Sequence, residues 1–160
     1  MNTETTITSG AAQLAAPDLT QRPPRSPRQR LGGYALLPRM LDKGRATLAG
    51  TNGEYHYACP NDQRFLEFAG VDPEALKAEL ATGKGDREIL AWIEANQWNR
   101  HTPAEIAAWS AATDTREPED AESREFFHEL LAAAAPSRTD VKTWSDLLDL
   151  DDYVSFGGKA

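Results

Sequence analysis

The chain has 160 residues, of which 40% are hydrophobic, and a formal net charge of −8. This length and apolar content suffice for one domain with its own core, so folding requires no disulfide framework or metal centre. An acidic body repels phosphate backbones, which argues against nucleic acid as a partner, and the sequence contains no apolar run long enough to cross a bilayer.

The first thirty residues lack a periodic apolar pattern and are rich in Thr, Ala, Ser and Pro, which predicts a disordered tail over residues 1–30. Its prolines favour a polyproline II helix that would align Arg22, Arg25 and Arg28 along one edge. This basic edge is either a solvated linker on the acidic surface of the domain or a contact for a phosphate or a partner protein.

Charge is unevenly distributed along the chain. Residues 1–50 hold seven Lys or Arg against three acids, whereas residues 51–160 hold ten against twenty-two. We therefore expect the basic first part of the chain to dock against the acidic remainder. The start of the sequence lacks a secretory pattern, and the single cysteine, Cys59, suits a reducing compartment, so we expect a cytoplasmic protein.

The first predicted helix follows Gly33. Pro38 fits its first turn, and one face repeats apolar or small residues at helical spacing, namely Leu37, Met40, Leu41, Gly44 and Leu48. Because glycine lowers helix stability by about 1 kcal/mol relative to alanine, Gly44 on this inner face predicts the close approach of another backbone or of a bulky ring.

Arg39, Asp42 and Lys43 lie on the neighbouring face of the same helix, where Asp42 is within reach of Arg39. One interpretation is a partly buried ion network that orients the helix. The other is a pocket for an acidic group or for acid-base chemistry, with Tyr34 or Glu54 contributing a proton. Both interpretations stay open at this point.

A second helix is predicted from Pro60 to Gly70, which places Cys59 at its N-terminal end. Free amides there can favour a thiolate, so Cys59 is a candidate nucleophile. Free cysteines are also among the most often buried residues, and an inert thiol in the core is the alternative.

Between the first and the second predicted helix, Gly50-Thr-Asn-Gly53 is a turn signal, and Glu54-Tyr-His-Tyr-Ala-Cys59 could form a short extended segment.

Further helix starts are predicted at Asp72, at Asp86, at the capping box Thr102-Pro-Ala-Glu105, after Asp120 and at Thr143. The helix after Asp120 is expected to direct Phe126, Phe127, Leu130 and Leu131 inward. The fold class is therefore all-α, a single compact domain of about six helices over residues 31–156 with a short tail at 157–160. The acidic C-terminal helix is expected to lend Asp151 or Asp152 to Arg39 or Lys43.

Two acidic patterns were considered as metal sites. Glu125-Phe-Phe-His128 has the carboxylate-histidine spacing of di-iron bundles, but a second copy is absent. Asp149, Asp151 and Asp152 lack the glycine and the distal glutamate of a calcium loop. We therefore expect no metal.

Several separated motifs resemble an uncharacterised bacterial family catalogued as a domain of unknown function. They include Arg30-Leu-Gly-Gly-Tyr34, the pattern Leu37-Pro-Arg-x-x-Asp-Lys-x-Arg-Ala46, Gly53-Glu-Tyr55 and Asp62-Gln-Arg-Phe-Leu66. The resemblance implies a small helical bacterial domain, and it transfers neither a catalytic residue nor a cofactor.

Two functional hypotheses follow. The first is a cytoplasmic binding or regulatory domain that recognises an acidic group of a protein or small molecule through Tyr34, Arg39 and Lys43. The second is an enzyme that uses Tyr34, Arg39, Asp42, Lys43 and Glu54 for acid-base chemistry, or Cys59 as nucleophile. No nucleic acid or membrane partner is expected, and the oligomeric state is left open.

Overall fold

A computed structural model describes residues 16–160, and this part of the chain is helical and contains no strand. Its seven helices are α1 (Leu37–Ala49), α2 (Pro60–Ala69), α3 (Pro73–Leu80), α4 (Asp86–Asn96), α5 (Pro103–Asp114), α6 (Ala121–Ala134) and α7 (Trp144–Ser155). None of the helices in this range has both the length and the apolar character needed to span a membrane.

The helices begin at the predicted signals. The side chains of Asp72, Thr102 and Thr143 accept hydrogen bonds from the amides of the first turns of α3, α5 and α7. The described range holds seven helices where about six were expected, and all seven correspond to helices that the sequence signals predicted. The segment Glu54–Cys59, which the sequence allowed to be extended, forms turns instead.

The main core forms around α1, α2, α3 and α4. Its buried side chains are Tyr34, Leu37, Met40, Leu41, Phe65, Leu66, Ala69, Val71, Leu76, Leu80, Ile89 and Ile93. A Cβ atom added to Gly44 would lie 2.6 Å from Leu80 Cδ1 and 3.2 Å from the ring of Tyr57. The predicted close approach at Gly44 is therefore confirmed, and it lets α1 pack tightly against α3.

A second, smaller apolar cluster joins α6 and α7 and contains Phe127, Ala135, Val141, Leu147 and Leu150. Phe126 and Leu130 were also expected to face inward, but they are 53% and 41% exposed. The expectation is wrong because α6 packs chiefly against α7 and buries only a narrow stripe.

The predicted tail of residues 1–30 is too long. Residues 1–15 lie outside the described part, but residues 16–30 pack on the domain, and Leu19 is only 1% exposed. Arg25 pairs with Asp42 and Asp86, and two further arginines of this segment reach acids on α5 and α7: Arg28 binds Asp146 and Asp149, and Arg30 binds Asp114. The expected docking of basic residues on acidic ones thus holds this segment in place.

Candidate functional site

A cavity of about 520 Å³ lies beside α1 and is built from both ends of the described chain. Its wall combines residues of the N-terminal segment, of α1, of the turns before α2 and of α7. The lining residues are Leu19, Thr20, Arg39, Lys43, Gly53, Glu54, Tyr55, His56, Cys59, Asn61, Leu148, Asp151, Ser155 and Phe156. A cavity of this size suits a small molecule.

Arg39 forms the first charged feature of the wall. Its Nη1 donates to Asp152 Oδ2 at 2.6 Å and to the Arg25 carbonyl at 3.2 Å, and its Nη2 donates to Asp152 Oδ1 at 3.2 Å. Burial disfavours the charged guanidinium, but the hydrogen bonds and charge of Asp152 outweigh it and raise the pKa of Arg39. Arg39 therefore stays charged, and its hydrogen bonds to Asp152 join α1 to α7.

Tyr55 completes this pair from the turn before α2. Its hydroxyl donates to Asp152 Oδ1 at 2.7 Å, and the Arg39 guanidinium lies over its ring at 5.5 Å from the centroid. Burial and the hydrogen bond to Asp152 raise the pKa of Tyr55. The phenol is thus held neutral as a hydrogen-bond donor and is a poor proton acceptor.

Lys43 forms the second charged feature, with its side chain only 5% exposed. Its Nζ lies 3.0 Å from Asp62 Oδ1, 2.8 Å from Asp62 Oδ2 and 3.3 Å from Cys59 Sγ. Asp62 Oδ1 accepts a hydrogen bond from Lys43 with good angles. Asp62 Oδ2 is buried and accepts no hydrogen bond, so its only polar contact is the ion pair with Lys43. The thiol is a weak acceptor for the remaining ammonium donors.

The position of Cys59 follows from the local backbone. Cys59 is the residue before the first turn of α2, and Ala58 before it adopts a left-handed conformation with φ of 58°. A non-glycine residue in that region is strained by about 1 kcal/mol or more. This turn brings the half-buried thiol to the cavity wall beside Lys43.

Acidic and apolar groups share the same cavity. Burial and the charge of Asp152 raise the pKa of Asp151, and Arg39 opposes this effect. Leu19, Leu148 and Phe156 supply apolar surface. The cavity therefore offers hydrogen-bond donors from two cations, the carboxyl groups of Glu54 and Asp151, and an apolar wall.

Four of the six predicted site residues meet here, namely Arg39, Lys43, Glu54 and Cys59. Asp152, one of the two acids expected from the C-terminal helix, does pair with Arg39. The partner of Lys43 is Asp62 on α2, an acid that the sequence reasoning did not select.

The other two predicted site residues lie elsewhere. Tyr34 is 1% exposed, and its ring meets Phe65 edge to face at 5.2 Å because it is part of the main core. Asp42 does not pair with Arg39; it accepts hydrogen bonds from the backbone and the side chain of Arg25. Neither residue lines the cavity.

Sequence reasoning missed three residues that line the cavity: Tyr55 and His56 in the turns before α2, and Asn61 in the first turn of α2. For Tyr55 and His56, the available clue was their position shortly after the turn signal Gly50-Thr-Asn-Gly53. Leu19 and Thr20 were missed because they lie in the segment expected to be a tail.

Residues 21–154 match a family model described as a domain of unknown function, DUF5069. The matched range contains most of the cavity wall, including Arg39, Lys43, Cys59 and Asp151. A search of curated proteins finds no match to the chain.

Proposed function

The chain belongs to the DUF5069 family, and we propose that it is a binding domain whose cavity beside α1 receives the acidic group of a ligand. The single observation that carries this proposal is the presence of two buried cations, Arg39 and Lys43, on the wall of one cavity. A regulatory role in the cytoplasm is part of the proposal, and the reduced thiol of Cys59 is consistent with that compartment.

Hydrogen-bond donors, rather than net charge, would select the ligand. Asp152 and Asp62 already neutralise Arg39 and Lys43. Arg39 has five N–H donors, and three hydrogen bonds to Asp152 and the Arg25 carbonyl leave two without an acceptor in the described part of the chain. Lys43 directs one donor at a weak sulfur acceptor, and a ligand oxygen would bind it more strongly.

The rest of the wall narrows the class of ligand. Leu19, Leu148 and Phe156 offer apolar contact, which favours a carboxylate with a compact apolar body over a bare inorganic anion. The acids Glu54 and Asp151 also line the cavity and would repel a ligand carboxylate in their ionised forms, so we expect the carboxylate on the side of Arg39 and Lys43. The cavity volume of about 520 Å³ lies in the range of small-molecule sites, which favours a small molecule over the surface of a protein.

Alkylation of Cys59 provides the test, because the thiol lines the cavity. We expect benzoate to protect Cys59 from iodoacetamide in a saturable manner, and benzamide to protect it much less. We also expect the rate ratio of anionic iodoacetate to neutral iodoacetamide to exceed the ratio for free glutathione by about threefold or more, since nearby donors favour the anion. Equal protection by benzoate and benzamide, or an unchanged ratio, would contradict the proposal.

A charge-neutral double variant supplies the matched comparison. Lys43→Gln with Asp62→Asn removes both charges of the buried pair together, which avoids leaving one ion unpaired. Glu79→Gln with Lys84→Gln does the same to an ion pair outside the cavity, where the two charges are 2.7 Å apart. Benzoate protection should disappear in the first double variant and persist in the second.

A thiol-dependent enzyme is the second candidate, and the 3.3 Å contact between Lys43 Nζ and Cys59 Sγ favours it. In this version the ammonium would stabilise the thiolate of Cys59 as nucleophile. Alkylation of the folded protein by iodoacetamide from about pH 6 to about pH 8 tests it. A thiol that stays unreactive below about pH 8 would remove this candidate and leave the binding proposal intact.

A further inference from the structure

A second cavity, of about 680 Å³, lies between α6 and the segment that leads into α7. Phe127, Leu131 and Val141 form an apolar floor; Phe127 is 3% exposed and Val141 is 8% exposed. These side chains belong to the smaller apolar cluster and have no part in the cavity beside α1. The two cavities are therefore separate sites.

The edge of the second cavity is basic in a chain of net charge −8. Arg124, Arg138 and Lys142 line it, against the single acid Glu117. Arg138 is paired with Asp140, but the side chains of Arg124 and Lys142 form no ion pair within the described residues. This differs from the basic N-terminal segment, in which Arg25, Arg28 and Arg30 all meet carboxylates.

The combination of floor and edge restricts the ligand chemistry. An inorganic anion could meet the cations but would leave the apolar floor uncovered, whereas a neutral hydrocarbon would cover the floor and leave the cations without a partner. A molecule with an apolar tail and an anionic head satisfies both parts, with its head at Arg124 and Lys142. The volume is in the range of small-molecule sites, roughly 300 to 1,000 Å³.

We propose that this second cavity binds a small amphiphilic carboxylate, with its tail on Phe127, Leu131 and Val141 and its carboxylate between Arg124 and Lys142. The proposal does not depend on the function proposed for the cavity beside α1. It assigns a separate ligand site to the part of the fold formed by α6 and α7.

Three compounds with ten-carbon chains test the assignment on the full chain, and each is used below its micelle concentration or, for decanol, below its solubility limit. Decanoate carries the required charge, decanol has the same tail without charge, and decyltrimethylammonium carries the opposite charge. Methyl NMR signals of Leu131 and Val141 report on the floor. The indole N–H resonance of Trp144 gives a second signal, because its ring contacts Phe127 edge to face at 5.2 Å. Decanoate should shift both signals in a saturable manner and bind about fivefold or more tightly than decanol, with an advantage that declines at high salt.

Variants that reverse the charge of a residue at the edge of the second cavity test the role of the two cations in binding decanoate. Arg124→Glu and Lys142→Glu change exposed residues, so the fold should survive, and circular dichroism checks this. Each should weaken decanoate binding by about fivefold or more, whereas Arg87→Glu, an exposed change on α4 away from the cavity, should alter it by less than about twofold. The milder Arg124→Gln, which only removes the charge, should weaken binding in the same direction.

Several outcomes would overturn the assignment. Equal binding of decanoate and decanol would show that Arg124 and Lys142 do not attract the ligand. If Arg87→Glu weakened decanoate binding as much as Arg124→Glu and Lys142→Glu do, the weakening would be an effect of net charge. Decanoate shifts confined to Tyr55 and Cys59 would place the ligand in the cavity beside α1 instead. Absence of saturation by all three compounds would leave no amphiphile site at α6.

Discussion

Arg39 and Asp152 are separated by 113 positions in the chain, and their side chains form a two-point ion pair that is almost fully buried. The two hydrogen bonds measure 2.6 Å and 3.2 Å. Because Arg39 also holds the Arg25 carbonyl, one guanidinium connects the N-terminal segment, α1 and α7.

Removal of Asp152 is predicted to be strongly destabilising. Asp152→Ala leaves the guanidinium of Arg39 buried without its counterion, so we expect a loss of about 3 to 5 kcal/mol in the free energy of unfolding, measured by urea denaturation. Asp151→Ala on the same helix is the control. It should leave stability unchanged or slightly raised, since burial and Asp152 disfavour the ionised form of Asp151. Equal losses in the two variants would contradict a stabilising role for the pair.

The ordered N-terminal segment leads to a second prediction. Arg25→Ala removes hydrogen bonds to Asp42 and Asp86, and we expect it to lower the free energy of unfolding by about 1 to 2 kcal/mol after allowance for its partial exposure. Arg22→Ala, at an exposed position of the same segment, should change it by less than about 0.5 kcal/mol. If both variants had the stability of the unaltered chain, the segment would contribute nothing to folding.

The carboxyl group of Asp86 leads to a prediction about how acid lowers the stability of the protein. Burial alone would raise its pKa, but hydrogen bonds from Arg25 and Arg45 outweigh burial and hold the pKa below the ordinary value of 3.8. Because the pKa of Asp86 is lower in the folded state than in the unfolded state, the ionised carboxylate stabilises the folded protein fully at pH values well above 3.8. This contribution to stability is lost as the pH falls through 3.8 toward the folded-state pKa. Asp86→Asn should therefore flatten the acid limb of a plot of unfolding free energy against pH.

The control for this acid response is Glu67→Gln, which removes an exposed acid on α2 that forms no ion pair within the described residues. It should leave the slope of the acid limb close to that of the unaltered protein. An Asp86→Asn variant with an unchanged slope would show that the two arginines do not depress the pKa of this carboxyl group.

Gly44 gives a prediction about packing. In Gly44→Ala the new methyl group would lie 2.6 Å from Leu80 Cδ1, and overpacking of this kind lowers stability by about 1 to 3 kcal/mol. The higher helix propensity of alanine recovers about 1 kcal/mol, so the net loss should be about 1 kcal/mol by urea denaturation. The same glycine change made in a Leu80→Val background should cost less, because the clashing methyl group is absent. If the stability losses of Gly44→Ala and Leu80→Val simply added in the double variant, the loss in Gly44→Ala would not come from a clash with Leu80.

The helices were largely predictable because their signals are local. Asp72, Thr102 and Thr143 cap helices through side chains that bond to amides three positions later. The charge imbalance between the first part of the chain and the remainder was also a valid guide, since Arg39 does bind an acid of α7.

The site was predictable only in part because its contacts are long-range. Helical spacing places Asp42 next to Arg39, but spacing along one helix does not reveal that Arg25 arrives from the N-terminal segment to take Asp42. Tyr34 carries a polar tip on a large apolar ring, and packing against Phe65 determined its position. A low-complexity composition made residues 16–30 resemble a tail, although Pro17, Pro24 and Pro27 are buried.

The cavity beside α1 uses Leu19 and Thr20 from the N-terminal segment together with Leu148, Ser155 and Phe156 from α7 and the residue after it. During synthesis on a ribosome, the wall therefore stays incomplete until α7 has emerged. A nascent chain that ends before α7 would lack both the counterion of Arg39 and one side of the cavity, so ligand capture would be restricted to chains that have been translated through this helix.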